Sequence, residues 1–148
     1  MGAITSNKKY SEKDKEESDM MAKVAAIKFL EGHGYVLGVP LKDQAERYKA
    51  WDFVMQWKGI DVPIEVERKR VWKSSTSWLP YNTIDIPYRK KDTQSKLFVM
   101  VNESAEALAI CKTSDILSSE VKVKDTTYTS GEKFFAVPTD KFKFYFNL

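Results

Sequence analysis

Cysteine and histidine are almost absent from this chain, which has one of each in 148 residues. A single cysteine excludes an intramolecular disulfide and a zinc site built from cysteines. Because stable disulfides belong to oxidising compartments, the near absence of cysteine favours an intracellular, cytoplasmic protein. One histidine excludes chemistry by a histidine pair, and His33 lies between two glycines where we expect a helix to end. We therefore predict that His33 caps this helix and is not a general base.

Long apolar runs are also lacking. No stretch approaches the roughly 18 apolar residues of a membrane helix, and the N-terminus has no apolar core of a secretory signal. We therefore expect no membrane contact. The chain is 43% hydrophobic and 30% charged, which is typical of a soluble globular protein. Its length predicts a flexible N-terminus over residues 1–10 and a single domain over residues 11–148.

Positive charge is concentrated in one window. Between Glu67 and Lys91 there are seven basic residues and two acids, so 7 − 2 gives +5 in a chain of net charge +3. Aromatic residues are interleaved there. Trp72 and Trp78 could stack on bases, although tryptophans at strand ends more often belong to the core or its rim. A basic strip beside acids suits a site that binds a polyanion and a cation together, although a solvated charged surface is the alternative. We predict nucleic-acid contacts for Arg68, Arg70, Lys73, Arg89, Lys90 and Lys91.

The N-terminal part predicts one long helix. It begins near Ser11, runs to about Glu31 and ends at the glycines that follow. The apolar positions Met20, Met21, Val24, Ile27 and Leu30 recur at helical spacing and are expected to pack inward, with Glu17 in line with the first three. A glutamate at that position would reach a site or lie at the rim of the core.

The remainder predicts strands interrupted by one irregular stretch. The order of one helix, three strands, a basic excursion and more strands indicates an α+β (α/β) domain with a mixed central sheet and additional C-terminal strands. A long irregular stretch is expected from Ser74, with Pro80 and Pro87 inside it. The expected strands are Tyr35–Leu41, Trp51–Trp57, Val62–Trp72, Lys96–Val101 and Ala107–Thr113, then strands near Val121, Phe134 and Phe142.

Two neighbouring strands carry the acids that could perform chemistry. Asp52 begins one strand, and Lys58 and Gly59 begin the turn of a hairpin that leads into I-E-V-E-R-K. Because strand side chains alternate, Glu65, Glu67 and Lys69 share one face. Carboxylates beside a phosphate can hold Mg²⁺ or Mn²⁺, and the metal ligands would be Asp52 and Glu65, with the Val66 carbonyl as a further ligand. Lys69 would orient water or neutralise a phosphate.

This arrangement resembles the PD-(D/E)XK nuclease superfamily. In that family a helix often carries a glutamate, the next elements supply a metal-binding aspartate, and a following strand holds an acid-x-lysine motif. Glu17, Asp52 and the segment from Ile64 to Lys69 resemble these elements in order, with thirteen residues from Asp52 to Glu65. The resemblance spans Glu17 to Lys69. It implies a restriction endonuclease-like mixed sheet and Glu17 as an additional metal residue.

The motif departs from the family pattern in one respect. If Glu65 is the family acid, then Glu67 occupies the lysine position and would act as a base or metal contact. If Glu67 is the acid, Glu67, Arg68 and Lys69 form a regular E-x-K. Both registers keep the side chains on one face, so alternation cannot choose between them. We favour Asp52, Glu65 and Glu67 as catalytic residues with Lys69 as the auxiliary cation.

The resemblance implies hydrolysis of DNA phosphodiester bonds by a Mg²⁺-activated water. Two alternatives remain open. A catalytically inactive nucleic-acid-binding module would keep the fold, and a protein-interaction module would use the basic strip for an acidic partner. A homodimer is expected if two symmetric sites cut the two strands. Asp85 is a weaker candidate for a further carboxylate in the site.

Overall fold

A five-stranded mixed sheet lies between an N-terminal helix and a second, three-stranded sheet. The computed structural model describes residues 20–44, 52–125 and 130–148. Within these ranges the architecture is the α+β class that the sequence predicts, with extra C-terminal strands. The expected helix start near Ser11, the flexible N-terminus and Glu17 lie outside the described residues. No helix in the described ranges is long and apolar enough to cross a membrane.

The helical elements are short apart from the first. Helix α1 covers residues 20–31 of the described chain. The other helices are α2 (Leu41–Gln44), α3 (Thr113–Leu117) and two 3-10 helices, Tyr88–Asp92 and Thr139–Lys141. The strands are β1 (Phe53–Trp57), β2 (Ile60–Lys69), β3 (Thr83–Pro87), β4 (Leu97–Asn102), β5 (Leu108–Lys112), β6 (Glu120–Lys124), β7 (Glu132–Pro138) and β8 (Lys143–Tyr145).

The large sheet has the strand order β1-β2-β4-β5-β8. Strands β2 and β4 are parallel, and the other neighbours are antiparallel. Strand β4 is the central strand that its apolar run predicts, because both of its faces are buried. Val99 and Val101 pack with α1, whereas Phe98 and Met100 pack with the second sheet.

The hairpin of β1 and β2 confirms the predicted turn. Lys58 and Gly59 connect the strands with φ values of 50° and 79°. Positive φ at both central residues matches the right-handed twist of the flanking strands, and Gly59 adopts it without steric cost. The register pairs Phe53 with Ile64. It therefore sets which residues of β2 lie beside the start of β1.

The predicted inward face of the first helix is wrong in part. Met20, Met21 and Val24 are 50%, 39% and 53% exposed. Ile27 and Leu30 are buried against the sheet as predicted, together with Ala22 and Ala26, which the prediction left out. Alanine lets the helix backbone approach the sheet closely, so the buried face includes the alanines and leaves the two methionines exposed.

The predicted first strand, Tyr35–Leu41, is reduced to one bridge between Val36 and Gln56. Gly38 and Pro40 interrupt the segment, and proline cannot donate a ladder hydrogen bond. Further along the β1 edge, the Gln44 side chain takes the place of a strand. It accepts a hydrogen bond from Val54 N at 2.7 Å and donates to Val54 O at 3.0 Å.

The stretch predicted to be irregular contains a strand. Strand β3 pairs with β7, and β7 pairs with β6, to form the second sheet. Ile84 and Ile86 alternate over only five residues between two prolines, and their partner strand lies about 50 residues further along the chain, as the pairing of Ile84 with Val137 shows. Short sequence patterns do not reveal such distant pairings. The second sheet buries Ile84, Ile86, Phe135 and Val137 against one face of the large sheet.

Trp72 belongs to this core. The predicted strand Val62–Trp72 ends at Lys69, and the chain then turns so that Trp72 is fully buried. Its Nε1 donates to Ser77 O at 2.9 Å, and its ring meets Trp78 edge to face. Trp72 is therefore the core tryptophan that its place near a strand end favours, and stacking on bases is excluded because the ring has no exposed face.

Candidate metal and phosphate site

The structure brings Asp52 and Glu65 together at the start of the β1–β2 hairpin. Asp52 N donates to Ile64 O at 3.1 Å, so Asp52 continues the ladder opposite the position of Glu65. The Asp52 carboxylate is fixed by its own contact, since Oδ2 accepts a hydrogen bond from Val66 N at 2.7 Å. In the described part of the chain, Oδ1 accepts no hydrogen bond and is paired only with Lys23 Nζ of α1, 4.0 Å away.

Glu65 is almost fully buried, with 4% of its surface exposed. Thr93 Oγ1 donates a hydrogen bond to Glu65 Oε1. The other oxygen, Oε2, lies 3.0 Å from Lys90 Nζ, yet it has no aligned hydrogen-bond donor among the described residues. A buried carboxylate oxygen with only a misaligned ammonium nearby is an acceptor that a cation would satisfy.

Burial and charge oppose ionisation of Asp52. Burial is the largest cause and raises the pKa of its carboxyl group, and the negative charge of Glu65 raises it further. The Val66 hydrogen bond and the charges of Lys23 and Lys90 act in the opposite direction. A divalent cation between Asp52 and Glu65 would lower this pKa, because it favours both ionised carboxylates.

Glu67 lies on the same face of β2, one alternation further along. Burial raises the pKa of its carboxyl group, with a smaller contribution from Glu65. The positive charges of three residues lower this pKa, and their effects decrease in the order Lys69, Lys90, Arg89. Lys69 therefore acts on Glu67, and the 3-10 segment Tyr88–Asp92 brings Arg89 and Lys90 to the same acids.

The donor set fits a hard cation such as Mg²⁺. This ion prefers oxygen ligands, keeps several waters and needs only one or two protein carboxylates when a phosphate is present. Asp52 Oδ1 and Glu65 Oε2 are the oxygens that remain for it. Among the described residues, no group of three or more His, Cys, Asp or Glu side chains is placed to share an ion. The predicted third metal residue, Glu17, lies outside the described residues.

The predicted basic residues fall into two groups. Arg89, Lys90 and Lys91 form the 3-10 segment beside Glu65, and Lys91 Nζ lies 5.2 Å from the centre of the Tyr88 ring. The second group lies near the far end of β2. There Arg68 donates from Nε to Glu103 O at 3.0 Å, Lys73 pairs with Glu103 at 3.8 Å, and Arg70 is exposed in the turn that follows.

Three other residues with reactive or ionisable side chains lie away from these acids. His33 caps α1 as predicted, with Nδ1 2.9 Å from Phe29 O. Asp85 lies on β3 and pairs with Lys124 at 2.5 Å, so it adds no carboxylate to the site. Cys111 is buried, which raises the pKa of its thiol to about 12 and leaves it unreactive at neutral pH.

Sequence reasoning missed two residues that contact the acids. Thr93 follows the basic segment and bonds Glu65, whereas Lys23 projects from α1 toward Asp52. Neither carries a local signal, because each reaches its acid only after distant segments have packed. Lys90 did carry a signal, but as a phosphate contact and not as the partner of Glu65.

Comparisons with known proteins give little further information. No protein-family model matches the chain, and no curated protein matches it. A solved structure of a bacterial homing endonuclease, I-Ssp6803I, is similar at 22% identity and a TM-score of 0.48. The match covers 84% of this chain and 75% of that chain.

Proposed function

We propose that this protein is a metal-dependent endonuclease that hydrolyses DNA phosphodiester bonds by a Mg²⁺-activated water. The observation that carries the proposal is the pairing of Asp52 with Glu65. Among the described residues, Glu65 Oε2 has no aligned hydrogen-bond donor, and the ammonium groups of Lys23 and Lys90 lie beside the two carboxylates. This combination suits a divalent cation bound together with a phosphate.

Each side chain would have a role that follows from its position in the site. Asp52 Oδ1 and Glu65 Oε2 would hold Mg²⁺ or Mn²⁺, which supplies a bound water of lowered pKa and stabilises charge on the phosphate. Glu67 lies on the same face of β2 and would accept the proton of the attacking water. Lys69, whose charge acts on Glu67, would neutralise the phosphate. Arg89 and Lys91 would bind the flanking phosphates.

Cleavage of a DNA panel tests this proposal. Linear duplex, single-stranded and branched DNAs would be incubated with Mg²⁺, Mn²⁺ or EDTA, using wild type and Asp52→Ala. Asp61→Ala is the matched control, since Asp61 is exposed on the same hairpin. Changes to groups that only orient a metal ligand cost about 10- to 100-fold, so loss of the ligand itself should cost at least that much.

The expected result is cleavage that requires metal, leaves a 5′ phosphate and is abolished in Asp52→Ala but kept in Asp61→Ala. Cleavage that persists in EDTA, or equally in both variants, would contradict the proposal.

A second candidate is a nucleic-acid-binding module without catalysis. It is favoured by Glu67 at the motif's lysine position and by Lys90, whose ammonium already neutralises Glu65. Salt-sensitive DNA binding without cleavage, equal in wild type and Asp52→Ala, would select this candidate. Whether two copies act together on the two strands is a separate proposal, tested by the oligomeric state on DNA.

A further inference from the structure

The Lys90 ammonium occupies a place beside Glu65 that a divalent cation would also use. Lys90 Nζ lies 3.0 Å from Glu65 Oε2, and the Glu65 side chain is only 6% exposed. Glu65 Oε1 is already bonded by Thr93, so Oε2 is the oxygen left for any cation. Two positive ions cannot both lie against one buried oxygen, because their repulsion is poorly screened there.

The Lys90 ammonium is also able to move away from Glu65. It belongs to a short 3-10 helix without a side-chain cap, and its own side chain is 37% exposed. Its ammonium is not aligned for a hydrogen bond to Oε2. A lysine has a flexible four-carbon stem, so the ammonium can swing away without a change in the backbone.

The neighbours of Lys90 indicate where the ammonium would go. Arg89 and Lys91 flank it and are exposed, and Lys91 lies over the ring of Tyr88. Lys133 of β7 lies over the same ring at 5.6 Å. In the described part of the chain, neither Lys91 nor Lys133 forms an ion pair with an acid. A phosphate group arriving at this surface would meet these cations and attract Lys90 as a further one.

We propose that Lys90 is an exchangeable cation that neutralises Glu65 in the metal-free protein and is released to a phosphate when a divalent cation binds. This inference rests on the proposed function for the identity of the polyanion. It makes metal binding and nucleic-acid binding mutually reinforcing, since each favours the same displaced position of Lys90. Coupling of this kind is reciprocal, so the metal and the nucleic acid each change the affinity for the other by the same factor. Such factors are typically about 5- to 150-fold.

The test compares Lys90→Met with wild type by calorimetric titration of Mn²⁺ in the absence of DNA. Removing the competing ammonium should tighten Mn²⁺ binding, by about tenfold within the usual range of such couplings. Lys91→Met is the matched control, because it removes the same charge from the adjacent residue, and its Mn²⁺ affinity should equal that of wild type. Weaker or unchanged Mn²⁺ binding in Lys90→Met would overturn the proposal and make Lys90 a structural partner of Glu65.

A second variant covers the event that Lys90→Met fails to fold. Lys90→Gln keeps a hydrogen-bond donor for Glu65 and removes only the charge, so it should also bind Mn²⁺ more tightly than wild type. If it binds Mn²⁺ no better than wild type, charge competition is excluded.

DNA binding supplies an independent measurement. The affinity for a phosphorothioate duplex, which resists hydrolysis, would be measured by fluorescence anisotropy with Mn²⁺ and with EDTA. Mn²⁺ should strengthen wild-type binding more than Lys90→Met binding, and an equal gain in both would overturn the proposal. If no duplex binds under any condition, the proposed function fails, whereas the Mn²⁺ titration still decides the role of Lys90.

Discussion

At the scale of single residues, the site is held in an unfavourable state that a cation would relieve. Burial raises the pKa of the Asp52 carboxyl group, and its neighbour Glu65 is almost fully buried. Lysines from two different elements, Lys23 and Lys90, contact these acids. Charged groups in surroundings that disfavour ionisation are common at functional sites, where binding or catalysis is kept at a cost in stability.

The raised pKa of Asp52 fixes the sign of a stability change. A carboxyl group with a higher pKa in the folded state binds more protons folded than unfolded, so the free energy of unfolding falls as pH rises through the folded pKa. Asp52→Asn mimics the neutral form and keeps an acceptor for Val66 N. In EDTA, we expect this variant to be more stable than wild type at neutral pH, with the advantage vanishing at acidic pH.

Urea denaturation between about pH 3 and pH 8 would measure this effect, since the range brackets the ordinary carboxyl pKa and neutrality. Asp61→Asn is the control and should follow wild type, because Asp61 is exposed. A neutral-pH stability of Asp52→Asn below that of wild type would show that the charge of Asp52 stabilises the metal-free protein.

At the scale of elements, the edge of β1 depends on one side chain. Gln44 is 2% exposed, and its amide contacts Val54 N, Val54 O and Val39 O. Gln44→Leu keeps the volume but leaves both backbone groups of Val54 without this partner. Each unsatisfied buried group costs about 1–3 kcal/mol, so we expect the free energy of unfolding to fall by about 2 kcal/mol or more.

Urea denaturation and amide hydrogen exchange at Val54 would measure this decrease. Gln94→Leu is the control, since Gln94 is exposed in a loop, and it should change stability by no more than about 0.5 kcal/mol. Equal effects of the two substitutions would contradict the bridging role of Gln44.

The elements also show what the sequence could and could not reveal. The hairpin of β1 and β2, the buried strand β4 and the turn at Lys58 follow from local alternation and turn chemistry. The same alternation places Glu65, Glu67 and Lys69 on one face. Strand β3 and the position of Lys90 depend on pairing with distant segments, which leaves no local trace. The predicted buried face of α1 is correct at Ile27 and Leu30 and wrong at Met20, Met21 and Val24, because alanines allow close packing against the sheet and the larger methionines do not.

At the scale of the whole molecule, charge is separated into a cluster of acids and a basic surface beside it. Glu65 is buried, and Asp52 and Glu67 are half-buried. The net charge of +3 is small, so polyanion binding must depend on local placement. The mixed sheet, the helix on one face and the second sheet on the other confirm the predicted α+β class. The likeness to PD-(D/E)XK nucleases stays a prediction, as do the single domain and the homodimer.

Salt dependence tests whether the 3-10 segment binds phosphates. The slope of log K against log salt concentration should become shallower by about one for each phosphate that the protein no longer neutralises. We therefore expect the double variant Arg89→Gln, Lys91→Gln to flatten the slope by about two. The control Lys28→Gln, Lys42→Gln removes the same net charge from α1 and α2, and should leave the slope unchanged. Equal flattening in both would assign binding to net charge alone.

The most direct test of the account is to locate a bound cation without reference to activity. Mn²⁺ broadens nuclear magnetic resonance signals of nearby nuclei, so the wild-type protein would be titrated with Mn²⁺ beside Asp52→Asn and Glu65→Gln. The account predicts selective broadening at Asp52, Glu65 and Val66 in wild type, and no such broadening in either variant. Broadening elsewhere, or broadening that persists in both variants, would contradict a metal site at these two carboxylates.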